Sequence, residues 1–207
     1  MSRAALSILL SIAVAGCAGS LFKNKAAPPT MYRLSAAANS APADPASGAR
    51  LTDLAVLRPR VRTGLDTDRI AALYPDRRMD YFADVRWSGP LDAVLQELAV
   101  QELHADSRLR HVSADASVFA SAYWLEIEVT DFQAEYPAGG GPPSVHVRLQ
   151  ARIGNSADRR VLARFDPDVR EAAADNRMSD IVDAYNRAAD KALAEIAQGA
   201  AQALAGK

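Results

Sequence analysis

Two segments in the second half of this 207-residue chain alternate apolar and polar side chains, over residues 123–130 and 145–153. Successive side chains of a β-strand point to opposite faces, so each segment predicts a strand with one buried and one solvated face. This pattern is typical of an antiparallel sheet that is covered on one side only. A turn sequence at residues 154–158 then leads into a third predicted strand at 160–165. The alternation therefore constrains the chain to a fold built on a half-covered sheet.

Further strands are predicted in the first half of the chain. Residues 51–61 alternate loosely and predict one strand. Residues 68–74 and 79–87 are strand-like runs separated by a turn sequence, and together they predict a hairpin. A short strand is predicted at residues 31–34, between two segments that are rich in Ala, Pro, Ser and Asn.

Two segments have the spacing of amphipathic helices and would cover the sheet. Ser88-Gly89-Pro90 favours a helix start, and apolar residues follow at intervals of three and four up to residue 103. A longer helix with an alanine-rich apolar stripe is predicted over residues 179–204. The order of these elements predicts an α+β fold, a largely antiparallel sheet with two helices on one face.

The N-terminal segment has the pattern of a secretory signal. Arg3 precedes an apolar run over residues 4–15, and Cys17, the only cysteine, directly follows Val14-Ala15-Gly16. This run is shorter than the roughly 20 residues that a membrane-spanning helix needs. An alternative is an ordinary signal peptide, cut at an Ala-x-Ala-like site, in which Cys17 has no special role.

The segment that ends at Cys17 resembles the lipobox of bacterial lipoproteins. The resemblance implies that residues 1–16 are the signal peptide and that acyl chains such as palmitate anchor Cys17 in a membrane. Ala18 follows, where lipoproteins of the inner membrane typically carry Asp, so the resemblance implies the outer membrane and a protein that faces the periplasm. Residues 17–50 are expected to be the lipidated N-terminus and a flexible tether, because few of them are large and apolar. Residues 51–207 are expected to be the folded domain.

Charge and residue types argue against several functions. Without residues 1–16, which contain one charged side chain, the chain has 23 basic and 25 acidic residues, so nucleic acid is not expected as a partner. Acylation of Cys17 would leave no thiol for a disulfide or a metal site. His104 and His111 match no standard ligand spacing, and His146 is expected on the surface. No nucleophile or phosphate-binding motif is present, so no metal, cofactor or enzymatic activity is predicted.

Two features are candidates for partner binding. Arg58, Arg60 and Arg62 alternate along the predicted strand at 51–61, and on one face they would favour an acidic partner or lipid headgroups. A solvated strand face is the alternative for these three arginines. Trp87, at the end of a predicted strand, is a further candidate, although packing in the core is the commoner role of such a residue.

The first half of the domain resembles the family of ABC-type transport auxiliary lipoproteins. The resemblance lies in Gly64-Leu65-Asp66-Thr67-Asp68-Arg69-Ile70, Met79-Asp80-Tyr81-Phe82-Ala83 and Trp87-Ser88-Gly89-Pro90-Leu91. In that family a Leu-Asp-x-x-x-Ile-like segment precedes a hairpin, and an aromatic strand ends in Trp shortly before a Pro-Leu that opens a helix. The lipobox and Tyr32-Arg33-Leu34 also fit the family's usual beginning, whereas Arg62-Thr63-Gly64-Leu65 departs from its frequent Pro-x-Tyr-Leu.

The resemblance implies a fold similar to the N-terminal domain of TolB and a non-enzymatic role in intermembrane lipid transport. Members of the family accompany an MCE-domain protein and an inner-membrane ABC transporter with its permease and ATPase. The implied role is to dock the MCE protein at the outer membrane. Two alternatives stay open, a periplasmic carrier that binds phospholipid and an activator of a cell-wall synthase. The alanine-rich stripe of the last helix favours close packing over a lipid cavity. A homo-oligomer that matches a hexameric MCE assembly is a further open alternative.

Overall fold

The computed structural model describes residues 27–36, 52–104, 109–114 and 121–205. The described residues form ten strands and two helices, in the following order along the chain: β1 (Thr30–Tyr32), β2 (Thr52–Val56), β3 (Arg60–Val61), β4 (Arg69–Leu73), β5 (Met79–Trp87), α1 (Leu91–His104), β6 (Leu109–Ser113), β7 (Tyr123–Glu135), β8 (Ser144–Asn155), β9 (Val161–Phe165), β10 (Asp168–Ala172) and α2 (Met178–Leu204). Cys17, the predicted lipidation site, lies outside the described residues.

The sheet is built around the long antiparallel pair β7 and β8, which pair from Tyr123↔Asn155 to Glu135↔Ser144 with one register shift. On its other edge β8 pairs antiparallel with β9 and β10. On the other side of β7, three short strands, β2, β3 and β4, pair with it in parallel. The sheet is therefore mixed, and the antiparallel ladders are its longest.

Strand β7 is longer than the alternation in the sequence predicts, because a β-bulge interrupts the alternation and the strand continues beyond it. The register shifts between Val129 and Asp131, which reverses the side of the sheet to which later side chains point. Leu125 and Val129 point into the core before the bulge, and Phe132 and Ala134 do so after it. The side-chain oxygen of Gln133 accepts a hydrogen bond of 2.8 Å from the backbone N–H of Phe132. This bond satisfies a backbone donor next to the irregular pairing.

Both helices lie on the same face of the sheet and enclose the core with it. The apolar stripe of α2 packs on β8, β9 and β10, and α1 packs on α2 and on β2 and β6. Alanines such as Ala184, Ala188 and Ala192 are completely buried, so α2 approaches the sheet closely. The predicted fold class, α+β with two helices on one face of a mostly antiparallel sheet, is confirmed. Neither helix has an apolar stretch that is long enough to cross a bilayer.

Three aromatic side chains connect the helix layer to the sheet. The ring of Trp87 lies edge-on to Tyr185 at 5.0 Å and to Phe132 at 6.1 Å between centroids, and Phe132 and Tyr185 lie 5.1 Å apart. Trp87 is only 1% exposed. The Tyr185 hydroxyl donates a hydrogen bond of 2.8 Å to the carbonyl oxygen of Ala71. This cluster joins β4, β5, β7 and α2, and burial raises the pKa of Tyr185 well above its ordinary value.

The structure differs from the predicted elements at two further places, the strand at 51–61 and β10. The strand predicted at 51–61 is broken at residues 57–59, where Pro59 has no N–H to donate to a sheet. Strand β10 was not predicted, because its five residues, Asp168–Ala172, are short and highly charged. The short strand predicted at 31–34 is present as β1, which pairs in parallel with β5, and Leu34 beyond it is buried in the core.

Replacing Trp87 tests the aromatic cluster. We expect Trp87→Ala to lower the free energy of unfolding by about 3–5 kcal/mol, because it removes a completely buried ring that contacts two others. Trp124→Ala is the matched control, since Trp124 is half-buried on the other face of the sheet, and its loss should be clearly smaller. Urea denaturation monitored by circular dichroism measures both. An unchanged unfolding midpoint for Trp87→Ala would contradict the assignment of this ring to the core.

Candidate functional site

The face of the sheet opposite the helices is highly charged, and we call it the outer face. Its side chains come from five neighbouring strands or the residues next to them: Arg60, Glu126, Glu128, Asp131, Gln133, Glu135, His146, Arg148, Arg152, Arg164, Asp166, Asp168 and Arg170. Acidic and basic residues face one another in several cross-strand pairs, as in Glu126↔Arg152 and Arg148↔Asp168. Opposite charges in such positions stabilise strand pairing and set the surface potential.

A polar groove of about 350 Å³ lies on this face, between Arg60 and Arg164. Glu126 lines the groove and accepts contacts of 2.7 Å from Arg60 and 2.5 Å from Arg152. The hydrogen bond from Arg152 is the largest of the effects that lower the pKa of Glu126. The lining side chains include three arginines and three carboxylates, so the groove has no net charge. Such a groove fits a surface of mixed charge better than a free anion.

His146 lies in a second cluster on the outer face, and the structure corrects the expectation that it is a surface residue. It is 6% exposed, because Glu135 of β7 and Asp168 of β10 enclose it from both sides. Its Nδ1 lies 2.9 Å from Glu135 and its Nε2 lies 2.9 Å from Asp168. Both ring nitrogens of His146 are therefore within hydrogen-bond distance of a carboxylate oxygen.

Glu135 is the carboxylate on which this cluster converges. Burial opposes its ionisation, but hydrogen bonds from Arg170, His146 and Gln133 outweigh burial and lower the pKa of Glu135 below its ordinary value. Gln133 also donates to Asp131 at 3.1 Å. Analysis of the sequence one strand at a time did not identify Glu135 and its partners as candidate site residues. Polar residues at 131, 133 and 135 resume the every-second-residue pattern one position out of phase with 126, 128 and 130, and this shifted pattern is the signal for a longer, bulged β7.

The three predicted arginines do not share one face. Arg58 forms an ion pair with Asp92 of α1, and this hydrogen bond is the main reason why the pKa of Asp92 is lowered. Arg60 contacts Glu126 in the groove, and Arg62 lies 3.8 Å from Asp131. The break at residues 57–59 separates Arg58 from the other two. Arg60 and Arg62 are 60% and 65% exposed, so both are accessible on the outer face.

Trp87 is not available on the surface. Its ring is enclosed by Phe132 and Tyr185, as described above, so a partner that docks on the folded domain does not reach it. Among the described residues, no group of three or more His, Cys, Asp or Glu side chains is arranged to hold a metal ion. The outer face carries ion pairs and hydrogen-bonded polar side chains.

Solved structures share this fold. A crystal structure of a protein from Xanthomonas campestris matches with a TM-score of 0.72 at 20% identity, covering 84% of this chain and 95% of that one. An uncharacterized protein matches with a TM-score of 0.63 at 14% identity, covering 84% and 99%. A hypothetical protein from Chlamydia trachomatis matches with a TM-score of 0.52 at 12% identity, covering 76% and 99%. At these identities the likeness shows the fold alone. The class of protein is an α+β domain with two helices on one face of a mixed sheet.

Within that class the family is defined by sequence. The chain belongs to the family of ABC-type transport auxiliary lipoprotein components, whose model matches residues 32–197. The match extends from the end of β1 into α2, so it includes nearly every element of the described domain. No curated protein matches the chain. The resemblance to this family is confirmed, and with it the assignment to lipoproteins that assist an ABC-type transport system.

The lowered pKa of Glu135 makes the stability of the domain depend on pH. A carboxyl group whose pKa is lowered by folding contributes stability above its ordinary pKa and loses it as pH falls through the folded value. We expect Glu135→Gln to lower the free energy of unfolding by roughly 1–3 kcal/mol at neutral pH. The difference from the wild type should shrink as pH falls below the ordinary value of 4.5.

Denaturant titrations at several pH values measure this difference. Glu128→Gln is the matched control, because Glu128 is more exposed and its contact with Arg60 is longer, 3.7 Å. Its effect should be small at every pH. A difference for Glu135→Gln that stays constant from neutral pH to about pH 3 would show that the charge of Glu135 does not carry the interaction.

Proposed function

We propose that this protein is a non-enzymatic lipoprotein of the outer membrane that docks an MCE-domain protein there, as part of an intermembrane lipid transport system. The family match across residues 32–197 carries the proposal, because it assigns the chain to the auxiliary lipoproteins of ABC-type transport. The resemblance to that family implies that the transporter's permease and ATPase lie in the inner membrane. An MCE protein would then span the gap to the membrane in which this lipoprotein is anchored.

The sequence around Cys17 supports an anchor in the outer membrane. Cys17 follows small residues after an apolar run, and Ala18 stands where Asp would favour the inner membrane. Bacterial lipoproteins carry two or three acyl chains, and more than one chain is what stable anchoring requires. The domain would thus be held at the periplasmic side of the outer membrane.

The packing of the domain supports docking over lipid carriage. The alanines of α2 lie directly on the sheet, and large side chains such as Leu125, Ile127 and Leu149 fill the space beneath the helices. The groove on the outer face is lined mostly by charged side chains, which do not suit acyl chains. We propose Arg60 and Arg62 as contact residues, because both are exposed on the face that the helices leave free. Arg58, which pairs with α1, would lie at the edge of that contact, and Trp87 has no part in it.

Chemical crosslinking in intact cells tests the docking role. An affinity pull-down of the full-length lipoprotein, analysed by mass spectrometry, should recover an MCE protein and its ABC transporter. Arg60→Ser with Arg62→Ser should reduce this recovery, whereas Arg159→Ser with Arg160→Ser, which removes the same charge at a distant turn, should not. Recovery of a cell-wall synthase in place of the MCE protein, or of the lipoprotein with stoichiometric phospholipid and no partner, would contradict docking.

Two substitutions at the N-terminus test the anchor. We expect Cys17→Ala to leave the melting temperature of the domain unchanged while the protein leaves the membrane fraction and function is lost. Ala18→Asp keeps the cysteine and should move the protein to the inner membrane. Separation of the two membranes by density gradient, together with complementation of a deletion strain, measures both. Full complementation by Cys17→Ala would rule out a role for the anchor.

A further inference from the structure

Two hairpin turns lie side by side at one end of the sheet, at residues 74–79 and 136–143, and we call this the hairpin end. Strands β4 and β7 run parallel and finish together, with Leu73 opposite Glu135. The N–H of Tyr136 donates a hydrogen bond of 2.9 Å to the carbonyl oxygen of Leu73. The β4–β5 turn and the β7–β8 turn therefore project from the same end of the domain.

Aromatic side chains and the uncharged β7–β8 turn of the hairpin end suit a membrane interface, whereas the β4–β5 turn carries Asp76, Arg77 and Arg78, and Arg78 lies over the ring of Tyr74. The rings of Tyr74 and Tyr136 are stacked at 5.2 Å, with Phe82 6.5 Å from Tyr136. Met79 is one of two large apolar side chains that stand out as exposed among the described residues, at 38%. No side chain in residues 136–143 is charged, and the space around Gly139, Gly140 and Gly141 is open. Tyrosines with an apolar body and a polar tip are typical of the level of lipid headgroups.

The direction of the N-terminal chain points to the same end. Strand β1 pairs in parallel with β5, with Thr30 opposite Val85 and Tyr32 opposite Trp87. Because β5 begins at the hairpin end, residues 27–29 lie on that side of Thr30. Cys17 precedes Ala27 by ten residues, which span at most about 35 Å when fully extended. The anchor is therefore short enough to hold the hairpin end close to the membrane.

We propose that the hairpin end rests on the headgroup region of the phospholipid leaflet in which Cys17 is anchored. This inference depends on the acylation of Cys17, which is part of the proposed function. The opposite end of the sheet differs in its aromatic side chains and not in its charged turn, since Asp158, Arg159 and Arg160 of the β8–β9 turn match Asp76, Arg77 and Arg78 of the β4–β5 turn. The thirteen residues of β7 separate the two ends by about 40 Å. The outer face then stands away from the bilayer and stays free for a partner.

Fluorescent labels at the two ends test this orientation. The only native cysteine is Cys17, and its thiol is consumed by acylation, so a second cysteine can be labelled uniquely. Ala138→Cys places an environment-sensitive NBD label in the β7–β8 turn, and Ala157→Cys places it in the β8–β9 turn. Both alanines are exposed, so the labels do not disturb the core. The labelled full-length lipoproteins are reconstituted in vesicles of phosphatidylethanolamine and phosphatidylglycerol that contain a lipid with a headgroup nitroxide.

We expect the nitroxide lipid to quench the label at residue 138 at least twofold more strongly than the label at residue 157. Equal quenching, or stronger quenching at 157, would overturn the proposal. A label at 138 that is shielded from a water-soluble quencher but not quenched by the nitroxide lipid would also overturn it, in favour of a protein contact at this end. If Cys17 were not acylated, the protein would not float with the vesicles at all, so failure of the anchor is distinguishable from failure of the orientation.

The two exposed methionines provide a matched pair of variants. Met79→Glu places a charge at the hairpin end and should lower the quenching at residue 138. Met31 is 53% exposed and lies opposite Arg86, away from that end, so Met31→Glu should leave the quenching unchanged. Equal effects of the two substitutions would show that Met79 has no specific role at the membrane surface. Neither methionine is buried, so both variants are expected to keep the fold.

Discussion

The contact among Trp87, Phe132 and Tyr185 is the constraint on which the rest of the domain depends. It joins the end of β5, the centre of the sheet and α2, and the hydroxyl of Tyr185 adds β4 through the carbonyl of Ala71. Phe132 reaches this cluster only because the bulge in β7 reverses the direction of the side chains after Val129. Without the bulge, a phenylalanine would point to solvent and Asp131 would point into the core, and burial of an unpaired carboxylate costs several kcal/mol.

The same bulge also builds the polar cluster of the outer face. Once Phe132 points inward, Gln133 and Glu135 point outward, and Gln133 is then directly opposite His146. Its side chain bonds the backbone at the bulge and also donates to Glu135, so it connects the local irregularity to the charged cluster. A single inserted residue thus determines both the aromatic core and the environment of His146. The two faces of the sheet are coupled at this point, and a change in one is expected to disturb the other.

The sequence predicted the parts of the fold that follow from repeated patterns. The alternation located β7 and β8, helical spacing located α1 and α2, and a turn between two strand-like runs located the β4–β5 hairpin. Pairing between short, charged strands has no such signal, so β10 was not predicted. The burial of His146 was not predicted either, because Asp168, which encloses it on one side, lies on β10. The arginine face was expected from alternation through residues 51–61, yet one proline broke the strand. The position of Trp87 at the end of a strand was predicted. Whether its ring packs in the core or contacts a partner was not, because this depends on how β7 and α2 pack against it.

The proposed docking role would need a rigid body on a short anchor, and different parts of this chain would supply the two. A flexible tether limits distance but not orientation, so a domain held only by the tether would present every face to a partner. Contact between the hairpin end and the headgroups would remove most of that freedom and raise the effective concentration of the outer face toward a partner in the periplasm. The entropic cost of orienting the domain would then arise when the anchor and the hairpin end bind the membrane, and not at each docking event. In that arrangement a groove without net charge would be an advantage, because the pattern of Arg60, Glu126 and Arg164 would supply selectivity while the groove would avoid general attraction to anionic lipid.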